Sequence, residues 1–324
     1  MKNYRIFMKT LDNLIHIHDQ PLLELIAQAH SIHSIYHNRQ EIQVCSLISI
    51  KTGGCPEDCK YCAQSSRYQT STSAQPMMST QQVLLLAQTA VAQGATRVCL
   101  GAAWREIREN KQFDQVVQMV KSITDLGIEV CCTLGMVQPH QAERLKAAGL
   151  YAYNHNLDSS ESFYKTIITT RSYQDRLKTL DIIEQAGITV CCGAILGMGE
   201  TKLDRLQFLH TLSQRTNPPE SIPINRLAAI PGTPLEKQPL LSIWEVIRMI
   251  ATTRVIFPNA MVRLSAGRLE MTQEQHALCF LAGANSIFSC ERLLTIANPS
   301  ADSDTELFEL LGLKRRPAFS KGNP

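Results

Sequence analysis

Residues 46–62 read SLISIKTGGCPEDCKYC. The run Ser46–Lys51 alternates small and β-branched or aliphatic residues and reads as a strand. It empties into two glycines and three thiols, Cys55, Cys59 and Cys62, at CxxxCxxC spacing. A strand whose C-terminal loop carries the chemistry is the building unit of a parallel α/β barrel. Working outward, the same pattern recurs. Strand candidates follow at Arg97–Ala102, Ile128–Leu134, Tyr151–Asp158, Ile188–Ile195, Ile222–Ala229, Met261–Ser265 and Asn285–Phe288. Helical periodicity fills the intervals at Thr80–Gln93, Phe113–Leu126, Tyr173–Ala186, Thr201–Gln214, Ser242–Ile256 and Glu274–Ala282. Thr201 with Asp204 three residues on resembles a capping start.

Eight strands separated by helices predict a (β/α)8 TIM-type barrel with an N-terminal helical extension. An open doubly wound sheet is the alternative, since periodicity cannot see closure; no GxGxxG turn follows any strand. The division expected is 1–40 as the extension, with one helix over Leu11–Gln40, 41–313 as the barrel, and 314–324 as a flexible tail.

The 324 residues, 44 % apolar and 19 % charged with a net charge of +3, suit one globular enzyme-sized unit. Disorder is excluded by composition, and the near-neutral balance gives no pull toward nucleic acid or anionic membrane. No apolar run is long enough to span a bilayer, and Met1–Asp19 lacks the pattern of a secretion signal. The eleven cysteines are an odd count in a long chain. Reduced cytoplasmic thiols that bind a metal or cluster fit this better than a disulfide framework. On spacing alone the triplet suits an iron–sulfur cluster, zinc with Cys45 or a distant residue as fourth ligand, or no metal at all. An electron carrier or zinc-stabilised binding protein is the rival class.

Strand alternation sorts the remaining thiols. Cys99 and Gly101 turn inward opposite Val98 and Leu100. Cys131 shares a face with Glu129 and Thr133, and Cys132 with Ile128 and Val130. Cys191 opposes Cys192 in the same way, and Arg263 with Ser265 opposes Val262 and Leu264. Asn154, Asn156 and Asp158 share one face of their strand, and Asn225 faces in from the next but one. Cys132 and Cys192 are then small core residues. Cys45, Cys279 and Cys290 read as inert, His30, His33 and His37 as a solvated helix face, and Lys314–Arg316 as solvated surface. Trp104 is expected to pack near the loop after the second strand.

The triplet loop resembles that of the radical S-adenosylmethionine enzymes. The stretches KTGGCPEDCKYCAQSSRY, RVCLGAAW, YNHNLD, IITTRSYQDRL, PESIPIN, GTPLE, VRLSAGR and CFLAGANSIF are similar to the biotin synthase family, across residues 40–313. That resemblance implies a [4Fe-4S] cluster on Cys55, Cys59 and Cys62, with S-adenosyl-L-methionine on its open iron. It implies a [2Fe-2S] cluster on Cys99, Cys131, Cys191 and Arg263, which donates sulfur to dethiobiotin. It assigns Asn156, Asp158 and Arg176, with backbone at Gly101, Ala102 and Ala103, to S-adenosyl-L-methionine, and Asn154 and Asn225 to the substrate. Asn156 and Asp158 could equally satisfy turn backbone. A flavodoxin or ferredoxin electron donor, the iron–sulfur assembly machinery and a homodimer are implied as partners. A different radical enzyme on the same scaffold is the near alternative.

Overall fold

The computed structural model describes residues 10–319; the ends of the expected extension and tail, 1–9 and 320–324, lie outside the described residues. Two helices, Leu11–His18 and Leu22–Tyr36, precede the first strand. The single helix expected there is therefore two: Pro21 cannot continue a helix interior, and the chain turns at Asp19–Gln20. Strands follow at β1 Glu41–Lys51, β2 Arg97–Ala102, β3 Glu129–Thr133, β4 Ala152–Asn154, β5 Thr189–Cys191, β6 Ala194–Leu196, β7 Ser221–Arg226, β8 Met261–Leu264 and β9 Ser286–Phe288.

All of these pair in parallel, in the order β1–β2–β3–β4–β5–β7–β8–β9, and β9 returns to β1 through Gln43–Cys45. The sheet is a closed cylinder of eight staves, the barrel and not the open sheet, with helices outside. β5 and β6 share one stave. The strand expected over Ile188–Ile195 breaks at Cys192–Gly193, where a Cβ on Gly193 would collide with the Pro223 backbone of β7. The strand expected over Tyr151–Asp158 is shorter still. Asp158 adopts a left-handed φ of 67°, so strict alternation ends before it.

The helices begin where the sequence offers a cap. Ser79 with Gln82, Ser172 with Asp175, Thr201 with Asp204 and Thr272 with Gln275 each form a reciprocal capping box. The main apolar layer lies between staves and helices and contains Cys132, Cys192 and Cys279.

The histidine reading is corrected. His33 is buried and His37 is half-buried, not on a solvated face; His37 Nε2 lies 2.9 Å from the Pro258 carbonyl, tying the second N-terminal helix to the barrel. Lys314 and Arg315 are exposed, as expected, and form a short strand beside Glu41 and Ile42 of β1. Beyond it, Phe319 donates its backbone N–H to Glu129 at 2.9 Å and packs edge-on against Tyr151. The segment 314–319 thus closes the N-terminal end of the cylinder.

Candidate active site

The triplet loop is held to the barrel mouth by its acidic residues. Glu57 is buried and receives Arg105 at 2.9 Å. Asp58 accepts the backbone N–H groups of Thr169 and Thr170 at 2.9 and 3.2 Å. Burial alone would raise the Asp58 carboxyl, but these bonds and those from the two hydroxyls outweigh it and hold it at about 2. Cys55 pairs with the far limb of the loop, its N–H on Gln64 and its carbonyl receiving Ser66. A left-handed φ of 71° at Gly53, against Ser73 and Ala74, leaves no room there for a side chain.

All three thiols of the triplet are free and face one cavity of about 300 Å³ at the mouth. Burial raises Cys55 and Cys59 and pushes Cys62 up to about 12. Unbound, these are neutral thiols; a bound metal centre deprotonates its thiol ligands outright. Among the described residues, no three His, Cys, Asp or Glu side chains converge on a single-ion site. Thiols that bind separate irons of one cluster stand further apart than donors to one ion. Three soft donors on one wall, with space in front of them, fit a cluster.

The same cavity descends into the cylinder, where Cys99, Cys131 and Arg263 line it. Cys99 and Cys131 pack with Tyr151 and Phe288 in an inner cluster separate from the outer layer that holds Cys132 and Cys192. The alternation reading of the doubled thiols agrees with this. Cys191 lies 3.6 Å from Arg263 Nη1. Arg263 is 1 % exposed, donates to Ser286 Oγ at 2.9 Å and Gln43 Oε1 at 3.2 Å, and lies over the Phe288 ring. Burial would lower its pKa, but the sulfurs of Cys45, Cys191 and Cys99 outweigh that and raise it. Beneath, Arg97 bridges Glu129 at 2.6 Å and Glu220 at 3.1 Å and forms a paired polar floor.

At the β4 side of the mouth, Asp158 accepts Tyr61 Oη at 2.7 Å and Arg176 Nη2 at 2.8 Å. Arg176 also donates to the Asn156 carbonyl at 2.5 Å and to Tyr164 Oη at 3.0 Å. Asn156 Oδ1 receives the Gly193 N–H at 2.9 Å. Arg176, Asn156 and Asp158 are therefore one internal network that also walls the cavity. Asn154 donates to Thr133 at 3.2 Å, while its Oδ1 is buried with no partner. Such an orphaned acceptor has room for a donor from water or a ligand. The Asn225 amide makes two backbone bonds, donating to Ala194 O at 2.9 Å and accepting from Ala266 at 3.2 Å, and keeps a second N–H and lone pair. Ala102, Ala103 and Trp104 line the cavity, but Gly101 does not: Leu294 stands where its side chain would be.

Sequence reasoning passed over several residues of this wall. Arg171 reaches within 4.0 Å of Cys59 Sγ, and its buried Nε makes no hydrogen bond but lies 3.9 Å from Glu57 Oε2; it sits five residues before Arg176 in a quoted stretch. Tyr61 lies inside the triplet itself. His155 is buried with an unpartnered Nε2, and burial holds its imidazole well below the ordinary value. Cys45, read as inert, is packed in the inner cluster. The signal for it was the alternation of β1, which places 43, 45 and 47 on one face.

Residues 49–212 match the radical SAM superfamily and residues 223–314 the biotin and thiamin synthesis associated domain. The biotin synthase of Chlamydia abortus is 57 % identical over 317 residues, 97 % of this chain and 96 % of that protein. The biotin synthase of Nostoc sp. is 55 % identical over 312 residues, 95 % and 93 % of the two chains. Among solved structures, methylornithine synthase (PylB) superposes with a TM-score of 0.79 at 18 % identity, covering 95 % of this chain and 94 % of that one. The hydrogenase maturase HydG of Carboxydothermus hydrogenoformans gives 0.81 at 16 %, covering 94 % and 75 %. These two share the fold. With a closed barrel, a thiol-lined mouth and near full-length identity above one half, the chain belongs to the biotin synthase family of radical S-adenosylmethionine enzymes.

Proposed function

We propose that this chain converts dethiobiotin to biotin, inserting sulfur at two unactivated carbons with S-adenosyl-L-methionine and two iron–sulfur clusters. The observation that carries the reading is the single cavity that joins Cys55, Cys59 and Cys62 at the mouth to Cys99, Cys131 and Arg263 inside. In this reading the mouth triplet holds a [4Fe-4S] cluster, and Cys99, Cys131, Cys191 and Arg263 hold a [2Fe-2S] cluster. When bound, the outer cluster and S-adenosyl-L-methionine supply a 5′-deoxyadenosyl radical, and the inner cluster supplies the sulfur.

The protein's part is position and exclusion of water. Asp158 and Asn156, braced by Arg176, present a carboxylate and an amide toward a nucleoside diol. Arg176 has three committed bonds, so a ligand carboxylate takes its remaining N–H groups or those of Arg171, whose Nε makes no hydrogen bond. The Asn154 oxygen accepts a urea N–H of the substrate, and Asn225 acts at the same wall through its remaining amide capacity. Backbone at Ala102 and Ala103 takes the methionine end. Gly101 serves by letting Leu294 approach. The buried Arg97–Glu129–Glu220 floor and the 314–319 segment keep the lower bore closed.

No described helix is long and apolar enough to cross a membrane. Action in the cytoplasm, a flavodoxin or ferredoxin as electron donor, supply from the iron–sulfur assembly machinery and a homodimeric state complete the proposal. Anaerobic reconstitution with iron and sulfide, followed by iron counting and assay of dethiobiotin turnover, tests it. Two separable clusters and biotin formed with 5′-deoxyadenosine support the reading. Cleavage of S-adenosyl-L-methionine with no inner cluster and no biotin would overturn it in favour of another radical reaction.

A further inference from the structure

Four thiols, not three, stand inside the cylinder. Cys45, on β1, has no solvent exposure and belongs to the inner cluster with Cys99 and Cys131. Its Sγ lies 3.8 Å from Ser286 Oγ, the same hydroxyl that receives Arg263 Nε at 2.9 Å. Two residues earlier on the same face, Gln43 Oε1 receives Arg263 Nη2 at 3.2 Å and Ser286 Oγ at 2.9 Å. Cys45 and Arg263 are therefore neighbours through one serine, and Cys191 faces the guanidinium from the other side at 3.6 Å.

A buried cysteine is ordinarily a small apolar filler, as Cys132 and Cys279 are in the outer layer. The inner position differs. Beside Tyr151, Phe288 and Leu293, its cluster includes the thiols of Cys99 and Cys131, with the Ser286 hydroxyl next to it and the Arg263 guanidinium beyond, where a barrel interior usually carries Val, Ile or Leu. A soft sulfur donor among other sulfur donors is matched to iron.

We propose that Cys45 is a fourth sulfur donor of the inner site, able to take the position on iron that Cys99, Cys131 and Cys191 leave to Arg263. The inference rests on the reading of those four residues as an inner [2Fe-2S] site. In the exchange the Cys45 S–H bond breaks and an S–Fe bond forms. The nitrogen–iron bond of Arg263 breaks, and the thiol proton goes to the released guanidine nitrogen. No electrons are transferred. The site thereby has two coordination states, one with nitrogen and one with sulfur in the fourth place, which differ in charge donated to iron and so in potential.

The test uses the full chain carrying Cys59→Ala, so that only inner iron is read, reconstituted anaerobically with iron and sulfide. Iron per chain, electron paramagnetic resonance after reduction and resonance Raman Fe–S stretching are compared. The four chains are Arg263 intact, Arg263→Met, Cys45→Ser, and Arg263→Met with Cys45→Ser. Arg263→Met alone is expected to keep inner iron with an all-sulfur signature. Adding Cys45→Ser to it lowers inner iron roughly tenfold, the scale on which a partner at a metal site acts. Near-ultraviolet circular dichroism of the iron-free chains reads folding separately. Equal iron and identical spectra for Arg263→Met with and without Cys45→Ser would overturn the inference while leaving the inner cluster in place. Absence of any inner cluster with Cys45 and Arg263 intact overturns the underlying reading and this inference with it.

Discussion

Arg176 and Asp158 meet at 2.8 Å with their side chains 5 % and 3 % exposed, and Tyr61 donates to the same carboxylate oxygen at 2.7 Å. A charge pair this deep is costly to halve. Arg176→Met leaves the carboxylate without its cation and is expected to destabilise the iron-free chain by ~3–5 kcal/mol. Arg176→Met with Asp158→Asn removes both charges and restores part of that loss. Urea unfolding of the three chains measures it; a double variant as unstable as the sum of the singles would show that the pair is not coupled.

Two adjacent thiols on β3 face opposite ways. Cys131→Ala is expected to abolish the visible absorbance of the inner cluster. Cys132→Ala leaves it nearly intact and costs roughly 1 kcal/mol of packing. The reverse result, read by absorbance after reconstitution, places the wrong residue inside the cylinder.

Cys59 is the buried member of the mouth triplet. Cys59→Ala is expected to abolish reductive cleavage of S-adenosyl-L-methionine while inner-cluster absorbance persists. Production of 5′-deoxyadenosine at the ordinary rate by this variant would separate the triplet from radical generation.

Burial lowers His18 and His276 to about 4 and His33 to about 3, from 6.5. Above pH 6.5 each is neutral folded or unfolded, and their full contribution is present. As pH falls from 6.5 toward 4, the unfolded chain takes up protons that the folded chain refuses, so stability drops by ~1.4 kcal/mol per pH unit for each histidine. His18→Gln preserves a partner for Thr252, which lies 3.1 Å from His18 Nδ1, and is expected to flatten this slope by one proton's worth. Urea midpoints from pH 7 to 4.5 give the comparison. An unchanged slope would mean that His18 titrates normally when folded.

Much of the site was legible before the fold was seen. The period of a strand is two wherever it lies, so Cys99, Cys131, Cys191 and Arg263 could be turned inward from local sequence, and Cys132 and Cys192 outward. The same argument applied to β1 would have brought Cys45 inside. Asn154, Asn156 and Asp158 all line the cavity as that reading has it, but β4 ends at Asn154, and Asp158, which leaves the extended region, takes its direction from Arg176 and Tyr61. The split fifth stave was equally hidden, since the Gly193 contact is with a backbone on a different strand.

Cap positions, helix order, the thiol spacing and each strand's own faces are properties of short stretches, and the amino-acid sequence alone determined them. Closure is different in kind. Only the tertiary structure set β1 against β9 and brought Gln43 and Ser286 onto Arg263. It also laid Lys314–Arg315 beside β1 and assembled the Arg97, Glu129 and Glu220 floor from three separate strands or strand ends. Each of these contacts joins residues far apart along the chain. The shear of the closed cylinder decides which of them share a layer, and no local period encodes it.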